Sequence, residues 1–78
     1  TFMGKDAGNS TTTASSNTAV GYDALTANTT GNENTALGLE ALKLCTTGST
    51  NSGIGKQALR SLTTGTGNTT LGIHAYNK

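Results

Sequence analysis

The chain has 78 residues and a formal net charge of +1; Thr, Asn, Ser and Gly supply 42 of the residues, whereas Leu, Ile, Val and Phe supply 12. So small a charge predicts neither a nucleic-acid partner nor a polybasic membrane patch, and no apolar run reaches the roughly 18 residues that span a bilayer. A low aliphatic share indicates disorder only together with a high net charge, so we expect an ordered chain.

One pattern recurs every 17 residues along nearly the whole chain. It divides the sequence into repeats 1–16, 17–33, 34–50, 51–67 and 68–78, and we number the positions of a repeat from its asparagine. A fixed period of this size is typical of solenoids, in which small repeats stack on their neighbours. The first residue is not Met and the pattern is cut off at both ends, so we expect a segment of a longer protein, with a single domain over 1–78.

Each repeat begins with a predicted strand. Residues 18–22 show strand-like alternation around one inward residue, and the absence of Pro suits a continuous backbone ladder. Residues 38–44 have helix-like apolar spacing, but isolated helices below roughly 12 residues are marginal, so we allow at most one or two helical turns there. Residues 29–31, a Thr-Thr-Gly stretch, indicate a second strand or a turn.

Three columns, meaning residues at the same position of successive repeats, are predicted to form the interior. They are the fourth (Met3, Val20, Leu37, Ile54, Leu71), the eighth (Ala7, Ala24, Ala41, Ala58, Ala75) and the ninth (Gly8, Leu25, Leu42, Leu59, Tyr76). This interior is thin for a chain that buries only about 60% of its surface, which favours several parallel chains packed along a common axis.

Two further columns have structural rather than catalytic interpretations. Stacked asparagines can form an amide ladder, or mark a turn, since Asn tolerates left-handed backbone; this column is Asn17, Asn34, Asn51 and Asn68. Glycine at the fifth position can admit another backbone closely, or provide a bend with positive φ; this column is Gly4, Gly21, Gly38, Gly55 and Gly72.

The repeats NTAVGYDAL, NTALGLEAL and NSGIGKQAL, each followed by a Thr-Thr-Gly stretch, resemble the Asn-Thr-Ala-aliphatic-Gly repeats of bacteriophage tail fibres and bacterial surface fibres. They are similar, more loosely, to the Asn-Ser-x-Ala-Ile-Gly repeats in the heads of trimeric autotransporter adhesins. The resemblance implies a parallel β-solenoid, assembled as a homotrimer, that reaches a cell surface. Three residues depart from the pattern: Gly8 replaces Leu, and Gly53 and Thr70 replace Ala.

No catalytic, cofactor or metal site is predicted. The seventh column (Asp6, Asp23, Glu40, Gln57, His74) is most simply a solvent-facing stripe, although stacked carboxylates could hold Ca²⁺. Cys45 lies two repeats from His74, about 10 Å, which is too far for a nucleophilic pair, so we expect it to pack as a small apolar residue.

These observations predict an all-β chain, a parallel β-solenoid of about 17 residues per coil. We expect a non-enzymatic fibre segment, extracellular on a virion tail fibre or a bacterial surface, with its own copies as partners in a homotrimer or an end-to-end assembly. A cell-surface receptor would bind regions outside the segment. A self-assembling filament subunit is the alternative. An ice-binding solenoid is a further alternative, based on the Thr pairs 29–30, 46–47 and 63–64 together with 12–13.

Overall fold

The computed structural model describes residues 2–8 and 15–73, which contain five short strands and no helix. The strands are β1 (Phe2–Met3), β2 (Thr18–Val20), β3 (Thr35–Leu37), β4 (Ser52–Ile54) and β5 (Thr69–Leu71). Each strand occupies the same place in its repeat, because each repeat carries the same short run before its glycine. The prediction of an all-β chain is confirmed.

All five strands form one parallel sheet in the order β1-β2-β3-β4-β5. Thr18 is in register with Thr35, and Val20 with Leu37, so partners occupy equal positions in adjacent repeats. A parallel pair needs a crossover of about a dozen residues or more, which the rest of each repeat supplies. The arrangement is compatible with a parallel β-solenoid.

The segment after each strand is a series of tight turns. In the third repeat, the N–H of Ala41 donates to the carbonyl of Gly38 at 3.2 Å, and the N–H of Lys43 to that of Glu40 at 3.2 Å. Glu40 and Leu42 have φ of 59° and 53°. Right-handed helix requires φ near −63°, so the helical turns allowed for 38–44 are absent.

Backbone hydrogen bonds between repeats continue beyond the sheet. Leu25 donates to the carbonyl of Ala41 at 2.9 Å, and Thr29 donates to that of Thr46 at 2.9 Å. Residues 29–31 belong to no strand, so the second strand considered for the Thr-Thr-Gly stretch is absent, and the chain bends at Thr29 and Thr30. Stacking therefore links the repeats around most of their perimeter.

The core is built from small residues and from one leucine in each of the second, third and fourth repeats. The fully buried apolar residues are Ala19, Ala24, Leu25, Ala36, Ala41, Leu42, Cys45, Ala58 and Leu59. The eighth and ninth columns are therefore interior in the second, third and fourth repeats. Ala75 and Tyr76 lie outside the described residues.

The prediction that the fourth column is interior is wrong for Met3, Leu37 and Leu71, which are exposed, whereas Val20 and Ile54 are half-buried. Met3 is 60% exposed, Leu37 44% and Leu71 79%, whereas Ala19 and Ala36, one residue earlier, are fully buried. Side chains alternate between the two faces of a strand, so an inward third position places the fourth outward. In the second, third and fourth repeats, where the ninth-column leucine fills the narrow interior, the inward residue of the strand is Ala or Gly.

In the first repeat the third position holds a large residue and the ninth a small one, the reverse of the following repeats. Phe2 is in register with Ala19, and Gly8 stands where the following repeats have Leu25 and Leu42. A Cβ added to Gly8 would lie 2.7 Å from atoms of the Phe2 ring. The ring therefore occupies space near Gly8 that the missing leucine leaves, which accounts for this departure from the pattern.

Candidate functional site

The asparagine column links successive repeats through side-chain and backbone groups. The Oδ1 atom of Asn34 accepts a hydrogen bond from the N–H of Asn51 at 3.0 Å, and its Nδ2 donates to the carbonyl of Gly48 at 2.8 Å. Asn17 and Asn51 bond in the same way. Asn34 and Asn51 are fully buried, so each carboxamide satisfies two backbone groups that are otherwise shielded from water.

This geometry differs from the amide ladder considered for the column. The oxygens accept from backbone N–H groups of the next repeat, and an amide-to-amide bond occurs among the described residues only between Asn68 and Asn51, at 3.2 Å. The asparagines themselves do not have positive φ, but the preceding residues Ser16, Glu33 and Thr50 do, at 59–60°. Each of these asparagines thus follows a residue with left-handed backbone conformation, and it joins neighbouring repeats at that point.

The glycine column at the fifth position is required by the chain's own stacking. Gly21, Gly38 and Gly55 have φ between 124° and 129°, which L residues rarely adopt. A Cβ on Gly38 would lie 2.7 Å from the backbone of Gly55 in the next repeat. Both interpretations of this column therefore apply, except that the closely approaching backbone is the neighbouring repeat of the same chain.

A second glycine column lies at the fifteenth position, within the Thr-Thr-Gly stretch for which the sequence indicated a second strand or a turn. A Cβ on Gly31 would collide with the carbonyl oxygen of Gly48, and one on Gly48 with that of Gly65. The carbonyls of these same residues accept the Nδ2 bonds of the asparagine column. The regular recurrence of these glycines is visible in the sequence. Their role as hydrogen-bond acceptors is not, because it depends on the conformation of the segment that contains them.

The seventh column is part of an ion-pair network that connects three repeats. The Nζ atom of Lys43 lies 3.3 Å from Glu40 and 3.7 Å from Asp23, and Arg60 Nε lies 3.2 Å from Glu40. Gln57 donates to Glu40 Oε1 at 2.7 Å. This hydrogen bond, followed by the charges of Lys43 and Arg60, holds the pKa of the Glu40 carboxyl below its ordinary value of 4.5.

This network pairs the carboxylates of Asp23 and Glu40 with cations. Among residues 2–8 and 15–73, no group of three or more His, Cys, Asp or Glu side chains is arranged to hold a metal ion. The Ca²⁺ interpretation of the seventh column therefore receives no support from the described geometry. His74, the last member of the column, lies outside the described residues.

Cys45 is fully buried among core residues and belongs to no disulfide. Burial raises the pKa of its thiol above the ordinary value of 9.0, so it is a poor nucleophile at neutral pH. In the repeat before it, the same column holds Asn28, whose Oδ1 is buried and has no hydrogen-bond partner within the described part of the chain. In the repeat after it, the same column holds Leu62, which is half-buried and packs against the core.

The threonine pairs do not form two equivalent hydroxyl rows. The Oγ1 atom of Thr29 donates to the carbonyl of Thr46 at 3.3 Å, and that of Thr46 to the carbonyl of Thr63 at 3.5 Å. In each of these two pairs the first hydroxyl thus bonds to the next repeat, whereas the second residues, Thr30 and Thr47, are exposed. Thr12 and Thr13 lie outside the described residues.

Contacts between repeats therefore account for most of the polar residues that recur in these columns. No helix in the described ranges has the length and apolar character needed to cross a membrane. Comparisons with protein-family models, with curated proteins and with solved structures find no match.

Proposed function

We propose that this chain is a non-enzymatic structural segment, a shaft or head, of a phage tail fibre or a bacterial adhesin. In this role it is extracellular and holds a receptor-binding region, located elsewhere, at a distance from the particle or cell. The segment is a parallel β-solenoid with 17 residues per coil. Several chains pack in parallel as a homotrimer.

The asparagine column carries this proposal. Asn17, Asn34 and Asn51 each bond to the next repeat and also to a carbonyl of their own repeat. Bending or stretching the stack would break buried hydrogen bonds, each of which contributes about 1 kcal/mol. A series of such links along one axis supports a stiff element whose length depends on the number of repeats.

The homotrimer is supported by the small size of the interior. The buried apolar residues of the third repeat are Ala36, Ala41, Leu42 and Cys45. So little apolar volume in a chain of this length stabilises a fold weakly, and burying further surface against parallel copies compensates for the deficit.

The fibre role is tested by changing the number of repeats in the native particle. Ten extra copies of residues 34–50 are expected to lengthen the labelled fibre by about 48 Å, because adjacent parallel strands are about 4.8 Å apart. Electron microscopy with a gold-labelled antibody against the segment measures this length. Label that lies off any fibre, or a fibre of unchanged length, would contradict the proposal.

A self-assembling filament subunit is the second candidate, favoured by the outer strands. Among the described strands, β1 and β5 each pair on one side only, and such edges are templates for further pairing. A filament subunit would polymerise reversibly through these ends in purified form. A purified chain that remains a discrete trimer favours the fibre segment instead.

A further inference from the structure

Most of the exposed apolar residues fall in two neighbouring columns. Among residues 2–8 and 15–73, six of the eight large apolar residues that are exposed lie in the fourth or the sixth column: Met3, Leu37 and Leu71, and Tyr22, Leu39 and Ile73. We call these residues, together with Val20 and Ile54 of the fourth column, the apolar stripe. It crosses all five strands, because the fourth column contributes one residue to each of them.

The two columns of the stripe are close together. The glycine column lies between the fourth and sixth columns, as Gly38 lies between Leu37 and Leu39, so no other side chain intervenes along the chain. The Cα atoms of residues two positions apart are at most about 7 Å apart.

We propose that the apolar stripe binds a second copy of this chain, parallel and in register, with the fourth column at the centre of the contact. This inference rests on the proposed homotrimer and assigns the surface that forms it. The rows of the stripe recur at the strand spacing of about 4.8 Å. A second copy has the same spacing, so its rows stay matched to those of the first copy along the entire length of the stripe.

The charge distribution agrees with this occupant. The fourth column consists of apolar residues in all five repeats, and the stripe contains no carboxylate. Lys5 and Lys56 lie in the sixth column, at the margin, where their ammonium groups can remain in water. The Nζ atom of Lys5 lies 5.9 Å from the centre of the Tyr22 ring. Copies that meet at the fourth column therefore bury no charge.

The area of the stripe indicates how strongly copies associate. Five rows spaced about 4.8 Å apart, and at most about 7 Å wide from the fourth to the sixth position, cover a footprint of about 130 Å². A stable dimer buries about 800 Å² on each partner. The contact formed by the stripe is therefore small. Association of the 78-residue chain is therefore reversible and becomes tighter as repeats are added.

Sedimentation equilibrium of the chain and two matched variants tests the proposal. Leu37 and Leu44 belong to the same repeat and are 44% and 39% exposed, but Leu44 lies outside the stripe. Leu37→Asp is expected to weaken association at least about tenfold, because the contact would bury an unpaired carboxylate. Leu44→Asp is expected to associate as the unsubstituted chain does. Circular dichroism verifies that both variants are folded.

Cross-linking tests the orientation of the copies. Val20→Cys in β2 meets its own counterpart when copies are parallel, whereas in an antiparallel pair it meets Ile54 of β4. Disulfide formation by Val20→Cys alone is therefore expected, and Cys45 does not interfere because it is buried. Cross-linking only in a mixture of Val20→Cys with Ile54→Cys would overturn the parallel arrangement.

The possible failures are distinguishable. If the chain is monomeric at every concentration, both the homotrimer of the proposed function and this inference are wrong. A chain that assembles equally well with Leu37→Asp overturns only the assignment of the surface, and the proposed function stands.

Discussion

The backbone N–H of Asn34 donates to the side-chain Oδ1 of Asn17 at 2.8 Å, from one repeat to the preceding one. The relationship recurs between Asn51 and Asn34 and between Asn68 and Asn51. A buried carboxamide with two backbone partners is costly to remove, because both partners lose their hydrogen bonds in a place that water does not reach.

Replacement of Asn34 by alanine is therefore expected to lower the free energy of unfolding by about 2–5 kcal/mol, since it leaves the N–H of Asn51 without an acceptor and the carbonyl of Gly48 with only the weak bond from the Cys45 thiol. Urea denaturation followed by circular dichroism measures the change. Asn32→Ala is the control, because Asn32 Oδ1 accepts its bond from Ser15 at an exposed site. Its expected effect is below about 1 kcal/mol; equal losses in the two variants would contradict the role of the buried column.

Two glycines of the fourth repeat are expected to respond differently to alanine. Gly55 has a φ of 124°, and its added Cβ would lie 2.6 Å from the carbonyl oxygen of Gly72, so Gly55→Ala should destabilise the chain by more than about 2 kcal/mol. Gly53 is in register with Ala36, and its Cβ would meet the Ala58 carbonyl at 3.1 Å.

Gly53→Ala therefore requires only a small shift of its neighbour, and its effect is expected to stay within about 1 kcal/mol of zero. Thermal unfolding of the two variants side by side provides the comparison. Similar losses would show that the fifth position has no special backbone requirement.

The ninth-column leucines are expected to contribute most of the apolar stability. Leu42 is fully buried, so Leu42→Ala should cost about 2–5 kcal/mol by leaving a cavity. Leu44, two residues later, is 39% exposed, and Leu44→Ala should cost less than about 1 kcal/mol. The midpoints of urea denaturation measure both effects, and a cost for Leu44 equal to that for Leu42 would disprove this view of the core.

Acid is expected to weaken the contact among three repeats at Glu40. Its pKa is lowered in the folded chain, chiefly by the hydrogen bond from Gln57, so its stabilising contribution is present above pH 4.5 and is lost as the pH falls through the folded value. The difference in Tm between the unsubstituted chain and Glu40→Gln should therefore shrink below pH 4.5. A difference that is constant from neutral to acidic pH would exclude this contribution.

The order and register of the sheet could be predicted from the sequence, because a strict period leaves one way to stack equal positions. The conformation of the turns could not. Glu40 and Leu42 have helix-compatible identities but positive φ, which is maintained by hydrogen bonds to neighbouring repeats. Such φ values are unfavourable for isolated residues and persist where the surrounding structure determines them.

The sequence by itself determined the repeat, its period and the columns that stack. Only the tertiary structure decided which side of each strand faces inward. Because side chains alternate along a strand, Ala36 and Leu37 lie on opposite faces, but alternation alone does not decide which of the two faces inward. The space left beside Leu42 accepts the smaller residue, which turned Leu37 outward and produced the apolar stripe.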